Sequence, residues 1–464
     1  MFIFPLVYIV AFLVTIRNFW KGKMQTFFVF LIFGLSIYMN AMSVTFKMGF
    51  ADEIPLLQSF KEVFVLLFLG WNIYHFEGKL KIDFIDKAII AYFLLTLLYA
   101  LLPLAGMSFT ERLVSFKSTS FFVLVYFAGR LYPFDKIEMK RFFLYILVLA
   151  VIAGAVVLIE AITYQHLQTL TGYADYNFYY FNFEPSGHFG LSWTFESAGG
   201  FKRFGSIFAN PLEHAAATLI ALSVLAAFYT SEDYHFKPDT FGMFALFATL
   251  VSITFAFSRS SLVSYFLLIY AYGWITKKKY INKTIHFLVI VGLSYFLYIL
   301  IKGLYENNGL LEVIVNTFNF TDPSSIGHVV EWMQGLTAIY QHPLGLGLGT
   351  SGRIGGSLGE NVGGENQFII IGVQVGIIGL MLYFGIFIQL IKKSKYWYYR
   401  LSGKEKMLCL VIFLMKIAFI IPMLTSEVDT SSYISYMTWF LTGIFINMIA
   451  NKETIYGSEV SNSH

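Results

Sequence analysis

The sequence predicts an all-α, polytopic membrane protein with about 12–13 transmembrane helices and two large outer loops. Three observations point to this fold class. The 464-residue chain is 57% hydrophobic and only 13% charged, about half the charged share of an ordinary soluble domain. Apolar runs of about 20 residues, enough to cross a bilayer as a helix, recur along most of the chain. Lysine and arginine also collect in alternate connections between these runs.

The apolar runs define thirteen predicted spans. The first and the ninth are short enough to be half-spans or tilted segments. The first span has no basic segment before it and no clear cleavage site, so we expect a retained helix and not a signal peptide. The predicted spans are Phe2–Ile16, Met24–Phe46, Ile54–Phe76, Phe84–Leu104, Ser115–Leu131, Phe142–Tyr164, Ser206–Tyr229, Thr240–Phe257, Ser260–Ile275, Thr284–Ile301, Asn366–Ile391, Met407–Leu424 and Ser431–Ala450.

The basic residues orient these spans. Alternate connections, beginning with Arg17–Lys23 and ending with the C-terminal tail, hold 22 of the 32 Lys and Arg residues. This side is predicted to be cytoplasmic, which places the N-terminus and both long loops outside. The predicted segments are N-terminal helices 1–164, a first outer loop 165–205, central helices 206–301, a large outer loop 302–365, C-terminal helices 366–450 and a cytoplasmic tail 451–464.

Several function classes find no support in the sequence. The net charge of +4 gives no indication of a nucleic-acid partner. The predicted cytoplasmic connections are short and contain no phosphate-binding glycine motif after a strand, so we expect neither a nucleotide energy source nor a cofactor. Histidine and acidic residues are too scattered to predict a metal site. The single cysteine, Cys409, forms no internal disulfide.

Basic residues on the predicted outer side are few, and four of them lie beside the long loops. Lys202 and Arg203 end the first outer loop, Arg259 lies in the turn between two spans, and Arg353 lies in a glycine-rich stretch. Guanidinium groups bind phosphate oxygens bidentately, so three converging arginines would suit a diphosphate head group. The alternative is that each one anchors the chain at the membrane interface or pairs with a carboxylate.

The second long loop supplies candidate proton acceptors. Glu365 precedes Asn366 where the loop becomes a long apolar span, so it would act as a base or cap that helix. His328 and Glu331 are three residues apart and share one helical face. They form either a catalytic pair or the polar side of an interfacial helix. His342 precedes a proline and is interpreted as a helix-terminating residue, although it is also a candidate.

Other charges have less defined roles. Lys117 lies inside a predicted span, as do Glu160 and Lys416, and such a charge indicates either function or a water-filled cavity. Glu427 and Asp429 lie between the last two spans on the predicted outer side and could add acid to the same cavity. The nine glycines between residues 345 and 364 permit sharp turns, so this loop either folds over a lipid-linked substrate or is mobile.

Three stretches of the chain resemble the O-antigen ligase and Wzy-type polysaccharide polymerase superfamily. They are RFGSIFANPLEHAAATLIAL, the FSRSSL turn, and the segment from HPLGLGLG through ENQFIIIGVQVGIIGL, which together cover about residues 195–390. The resemblance implies a GT-C-like, metal-independent glycosyltransferase in the bacterial cytoplasmic membrane, with its active site on the periplasmic side. It implies no cofactor, and undecaprenyl-diphosphate-linked oligosaccharide as substrate. Membrane lipids, a chain-length regulator and a flippase would be partners.

The resemblance also assigns residues. It implies that Arg203 and Arg259 bind diphosphate. It aligns Glu365 and Asn366 with the His-Asn pair of the ligases and His328 with a usual arginine, and both differences suit the polymerase branch. We therefore expect a polymerase that joins repeat units for O-antigen, capsule or exopolysaccharide. The alternatives are a ligase that transfers finished glycan to lipid A-core or another acceptor, and a non-enzymatic transporter or flippase of the same lipid.

Overall fold

Helices make up nearly all the regular structure of the protein. The computed structural model describes residues 1–77, 80–104, 106–197, 200–305, 323–359 and 361–461. The helices in these ranges are α1 Ile3–Trp20, α2 Phe27–Val29, α3 Tyr38–Lys47, α4 Ile54–Tyr74, α5 Phe84–Leu101, α6 Phe109–Arg130, α7 Met139–Thr163, α8 Leu167–Thr171, α9 Tyr173–Phe181, α10 Pro211–Phe228, α11 Thr240–Phe255, α12 Arg259–Ile275, α13 Lys279–Tyr305, α14 Pro323–Gln341, α15 Gly352–Leu358, α16 Gln367–Tyr398, α17 Gly403–Thr425 and α18 Ser432–Ser461.

Helices occupy the positions of all thirteen predicted spans. Among the described helices, eight are long and apolar enough to cross a membrane: α1, α4, α5, α7, α10, α16, α17 and α18. The second predicted span is bent, because Met24–Gly34 and Tyr38–Lys47 meet at 64°. Taken as one span, this pair makes a ninth. The predicted all-α, polytopic membrane class is confirmed.

Two helices form the centre of the bundle. The apolar stretch of α18 is completely buried and that of α10 is 89% buried, whereas only 28% of α1 is buried. Helix α18 packs closely on α6, because a Cβ added at Gly129 or Gly443 would collide with the backbone of the opposite helix. The outer helices therefore present their apolar side chains to lipid, as a membrane-spanning bundle requires.

The basic connections meet at one end of this bundle. Lys406 Nζ lies 3.0 Å from Glu232 Oε2, and Lys404 Nζ donates to the carbonyl of Asp135 at 3.2 Å. Buried Arg130 pairs with Asp86 near the same end, at 2.9 Å. The ends of the first outer loop lie at the opposite end of the bundle. The compartment that each end faces stays a prediction from charge.

One carboxylate joins the two ends of the first outer loop. Glu160, near the end of α7, accepts the backbone N–H of Leu167 and that of Ser206, both at 2.8 Å. Gln168 adds hydrogen bonds from its amide to the carbonyls of Ser206 (3.0 Å) and Phe208 (2.8 Å). The loop therefore leaves and rejoins the bundle at the same place, and the charge inside this span has a structural role.

Helix α16 is broken at Val375 and Gly376, within the predicted span Asn366–Ile391. Gly376 has φ 73° and ψ −177°, a combination open essentially to glycine alone. The segment Pro343–Gly347 lies against the break and takes over its hydrogen bonds. Leu346 N–H donates to Val373 O at 2.7 Å, Gly347 N–H to Gln374 O at 3.1 Å, and Ile377 N–H to Pro343 O at 2.9 Å. The glycine-rich stretch is therefore part of the helix's hydrogen-bonding system.

We predict that Gly376→Ala destabilises the protein by about 1–3 kcal/mol or more, because the side chain adds backbone strain and would contact the backbone of Leu344. Thermal unfolding of the purified protein, followed by size-exclusion chromatography, measures the effect. Gly385→Ala in the same helix is the control, since an added Cβ there meets nothing within 4 Å. Equal melting temperatures for the two variants would contradict the role of the break.

Candidate functional site

The two long loops meet at a cavity of about 390 Å³. Its wall combines residues from five separate parts of the chain: the first outer loop, the start of α10, the start of α12, the glycine-rich stretch and the connection between α17 and α18. The polar side chains among them include Asn177, Glu184, Glu213, Ser261, Arg353, Glu365 and Glu427. The predicted convergence of the loops is thus present in the structure.

Four helices begin at this cavity. Residues in or next to the first turns of α10, α12, α16 and α18 contribute to its wall. The N-terminus of a helix carries a partial positive charge and unpaired backbone N–H groups. The sequence provides the local signals for these starts. Asn210 caps α10, Ser258 caps α12 and Asn366 caps α16, each by accepting backbone N–H groups. The cavity wall is therefore suited to an anion.

Arg203 and Arg259 lie close enough to affect each other. The backbone N–H of Arg203 donates to Phe195 O at 2.9 Å, and that of Phe204 donates to Phe255 O at 3.1 Å. These bonds hold the end of the first outer loop against the α11–α12 turn, which carries Arg259. Burial and, secondarily, the charge of Arg259 lower the pKa of the Arg203 guanidinium to about 10, whereas Glu365 acts in the opposite direction. Arg203 stays charged at neutral pH.

Arg353 lines the cavity itself, whereas Arg203 and Arg259 are not among its lining residues. Its backbone N–H donates to the carboxylate of Glu427. Its guanidinium lies over the rings of Phe181, at 5.9 Å, and Phe183, at 5.6 Å, both in the first outer loop. The side chain is largely exposed toward the cavity. Arg353 therefore connects the glycine-rich stretch to the first outer loop.

Asn366 caps helix α16, and Glu365 is exposed in the cavity wall, two roles that the sequence alone did not assign. Asn366 is 4% exposed and is the N-cap of α16, since its Oδ1 accepts Phe368 N–H at 3.0 Å and Ile369 N–H at 3.2 Å. Glu365 precedes the cap, is exposed in the cavity wall and interacts electrostatically with Arg203. The N-cap of α16 is therefore Asn366.

Glu427 brings a second carboxylate next to Glu365. Burial raises the pKa of the Glu427 carboxyl to about 7; Arg353 opposes this shift and Glu365 adds to it. This carboxyl group consequently titrates near neutral pH within the cavity wall. The arginine and glutamate charges form a connected series, in which Arg203 is coupled to Glu365, Glu365 to Glu427, and Glu427 to Arg353.

Glu331 also lies near this series. A Cβ added at Gly364 would collide with its carboxylate, so Glu331 lies against the backbone immediately before Glu365. His328 and Glu331 are both in α14, as predicted, but the side chain of His328 lies outside the part of the chain that the structure describes. His328 and Glu331 therefore share one helical face, and the contacts of the His328 side chain stay a prediction.

Three candidates from the sequence lie away from the cavity wall. Lys202 Nζ donates to Tyr164 O at 2.6 Å and lies over the rings of Tyr164 and Phe189. Lys117 pairs with Glu62 at 2.7 Å. His342 is exposed and follows the last residue of α14. For Lys202 and Lys117, the sequence shows the charge but not the partner that it has in the fold.

Glu213 lines the cavity, and sequence reasoning did not select it. It lies in the first turn of α10, where an acidic residue is also expected as part of a helix cap. It does have that role, because its carboxylate accepts Ala209 N–H at 3.2 Å. The same side chain is electrostatically coupled to Arg353. A capping residue and a cavity residue give the same local pattern, so only the tertiary structure separates them.

The charged groups at the cavity do not suggest a metal centre. In the described ranges, no group of three or more His, Cys, Asp or Glu side chains is placed to hold a metal ion. The arrangement instead offers guanidinium groups and helix N-termini for an anion, beside carboxylates that can take a proton.

Comparison with known proteins gives one match. No curated protein sequence matches the chain significantly. Residues 244–384 match the family model described as O-antigen ligase, a range that includes Arg259, Arg353 and Glu365. Members of this family are glycosyltransferase-like enzymes that act on lipid-linked glycans. The match does not distinguish polymerases from ligases. Residues 244–384 of the chain are therefore similar to the O-antigen ligase family.

Proposed function

We propose that the protein is a polysaccharide polymerase that joins undecaprenyl-diphosphate-linked oligosaccharide repeat units at the outer face of the bacterial cytoplasmic membrane. The observation that carries this proposal is the cavity between the two long outer loops, which Arg353, Glu365 and Glu427 line and to which Arg203 and Arg259 are electrostatically coupled through Glu365 and Arg203. A lipid diphosphate, an activated sugar and an acceptor hydroxyl are the chemical groups that such a site suits.

The diphosphate of the donor is bound by Arg203 and Arg259, together with Arg353 in the cavity wall. Arginine binds phosphate oxygens through a planar fork of N–H groups. The helix N-termini at the cavity add backbone N–H groups and positive potential. Negative charge accumulates on the diphosphate as its bond to the sugar breaks, so fixed positive charges stabilise the transition state more than the bound donor.

Glu365 takes the proton from the attacking hydroxyl of the acceptor sugar. The hydroxyl oxygen forms a bond to the anomeric carbon, and the bond between that carbon and the diphosphate oxygen breaks. The electron pair leaves with undecaprenyl diphosphate, and the proton moves to the Glu365 carboxylate. Glu331, next to Gly364, is the alternative acceptor, alone or with His328. A single displacement of this kind inverts the anomeric configuration and needs no cofactor, since the sugar–diphosphate bond is already activated.

A ligase would use the same donor chemistry on a different acceptor. Under that alternative, cells lacking the protein accumulate long lipid-linked chains, whereas under the polymerase proposal they accumulate single repeat units. Incubation of the purified protein with a defined undecaprenyl-diphosphate oligosaccharide tests the proposal directly. A ladder of products on a gel supports a polymerase. An absence of products longer than the starting unit, with active protein confirmed by glycan transfer to lipid A-core, would support a ligase.

We predict that Arg203→Ala and Arg259→Ala each lower the rate of polymer formation by about 10²–10³, because each removes a positive charge from the leaving group. Arg203→Lys should retain part of the activity. Ladder formation with equal amounts of membrane-inserted protein is the measurement. Arg141→Ala is the matched control, since this arginine is 64% exposed at the start of α7. Unchanged product lengths in both Arg203→Ala and Arg259→Ala would reject the proposed diphosphate site.

We also predict that Glu365→Gln lowers kcat by about 10²–10⁴, because the amide cannot accept the proton. The amide is close in size to the carboxylate, so donor binding should be retained, and single-turnover kinetics separate the two effects. Glu138→Gln, at an exposed carboxylate at the start of α7, serves as the control. Full activity in Glu365→Gln would indicate that Glu331 accepts the proton instead. The corresponding Glu331→Gln variant then tests this role.

Because the carboxyl group of Glu427 titrates near neutral pH, we predict that donor binding depends on pH. With its pKa at about 7, the carboxyl group loses its proton as the pH rises from 6 to 8, and the new negative charge competes with the donor for Arg353. The donor is a diphosphate diester, which has no proton to lose in this range. We therefore expect its KM to rise by about fivefold or more between pH 6 and 8.

The same measurement in Glu427→Gln isolates this effect, because the amide does not titrate. The KM of the variant should stay constant over the range while that of the wild-type protein rises. A wild-type KM that is independent of pH, or an equal rise in the variant, would show that Glu427 does not control donor binding.

A further inference from the structure

We propose that Trp193, at the rim of the cavity, is the stacking platform of a saccharide-binding subsite that holds the glycan of the lipid-linked substrate. This inference rests on the proposed function and adds to it a place for the sugar chain beyond the reacting residue. Trp193 is 64% exposed, and its neighbours on both sides, Ser192 and Thr194, line the cavity. The backbone of Trp193 is therefore at the rim of the cavity, and its indole is exposed next to residues that line the cavity.

The turn that carries Trp193 is held in place at both ends. Before it, the buried carboxylate of Glu196 accepts His188 Nδ1 at 2.8 Å and the backbone N–H of His188 at 3.2 Å. After it, Phe195 is completely buried and its carbonyl accepts the Arg203 N–H. The ring of His188 also meets the indole edge-on, with centroids 6.0 Å apart. A fixed aromatic side chain loses little conformational entropy when it binds a ligand.

The position of the indole matches the proposed diphosphate site. Phe195 is two residues from Trp193, and its carbonyl is bonded to the backbone of Arg203. The Cα atoms of Trp193 and Arg203 therefore lie within about 12 Å of each other. A short oligosaccharide attached to a diphosphate at Arg203 can reach the indole over this distance.

The cavity wall next to this turn offers polar groups for sugar hydroxyls. Asn177 and Glu184 supply an amide and a carboxylate beside the hydroxyls of Ser192 and Thr194. Asn177 is 4% exposed, and its Nδ2 donates to Tyr173 O at 2.7 Å. Its Oδ1 has no hydrogen-bond donor among the residues that the structure describes. A buried acceptor without a donor is costly, and a sugar hydroxyl would satisfy it.

An exposed indole beside an amide, a carboxylate and hydroxyl groups suits a sugar better than an apolar peptide or a lipid chain. A pyranose ring presents C–H groups on one face and hydroxyls around its edge. The face packs on an indole, and the hydroxyls take hydrogen bonds from side chains of the kinds found here. An exposed tryptophan is also typical of the membrane interface, and this alternative is an outcome of the experiment below.

The test uses the full-length protein in lipid nanodiscs and the repeat-unit oligosaccharide released from its lipid by mild acid. Isothermal titration calorimetry measures binding of this soluble glycan, and product ladders measure turnover of the lipid-linked form. We expect Trp193→Ala to raise the Kd for the glycan and the KM for the lipid-linked substrate by about tenfold. Because the indole does not touch the reacting atoms, kcat should be unchanged. Trp193→Phe, which keeps a smaller aromatic ring, should lose less affinity for the glycan than Trp193→Ala.

Trp20→Ala is the matched control, since Trp20 is 80% exposed at the end of α1, far from the loop in sequence. Wild-type glycan affinity in Trp193→Ala would overturn the proposal. An equal loss of thermal stability in Trp193→Ala and Trp20→Ala, with glycan binding unchanged, would identify Trp193 as an interfacial anchor. The proposed function can fail separately: a wild-type protein that forms no ladder but binds the glycan through Trp193 would reject the polymerase and retain the subsite.

Discussion

The hydrogen bonds between the segment Pro343–Gly347 and the break in α16 are the constraint on which the site depends. A backbone group without a partner at membrane depth costs several kcal/mol, so a broken helix is stable there only if protein groups replace the missing bonds. Three backbone bonds do so here. They fix the outer half of α16 and the glycine-rich stretch relative to each other. Glu365, at the start of that half, and Arg353, in that stretch, consequently come to the same cavity.

Much of this arrangement could be predicted from the sequence, because lipid imposes strong and simple rules. Apolar runs of sufficient length predicted where the helices lie, and the alternation of basic residues predicted that both long loops meet at one end. Topology confines the polar residues of both loops to this end of the bundle, so it predicted that Arg203, Arg259 and Glu365 lie near one another. The FSRSSL turn and the segments around it then pointed to the superfamily before any fold was known.

Other parts could not be predicted, because the same local pattern serves two purposes. Glu365 and Asn366 both have the composition of a helix start, and only the geometry assigns the cap to Asn366. Gly376 follows Gly372 by four residues, the spacing of a helix-packing motif, yet it is the point where α16 breaks. Lys202 lies at the end of a predicted loop and Lys117 inside a predicted span, and their partners, Tyr164 and Glu62, are too distant in sequence to be recognised.

The hydrogen bonds of Glu160 hold the two ends of the first outer loop together. Because one carboxylate ties Leu167 to Ser206, the intervening chain is a closed insertion on a fixed base, and doubling its length would cost only about 0.6 kcal/mol of closure entropy. Related proteins can therefore differ in this insertion while the surrounding helices stay the same. Under the proposed function, such a change would alter which sugars are accepted and leave the proposed diphosphate site intact.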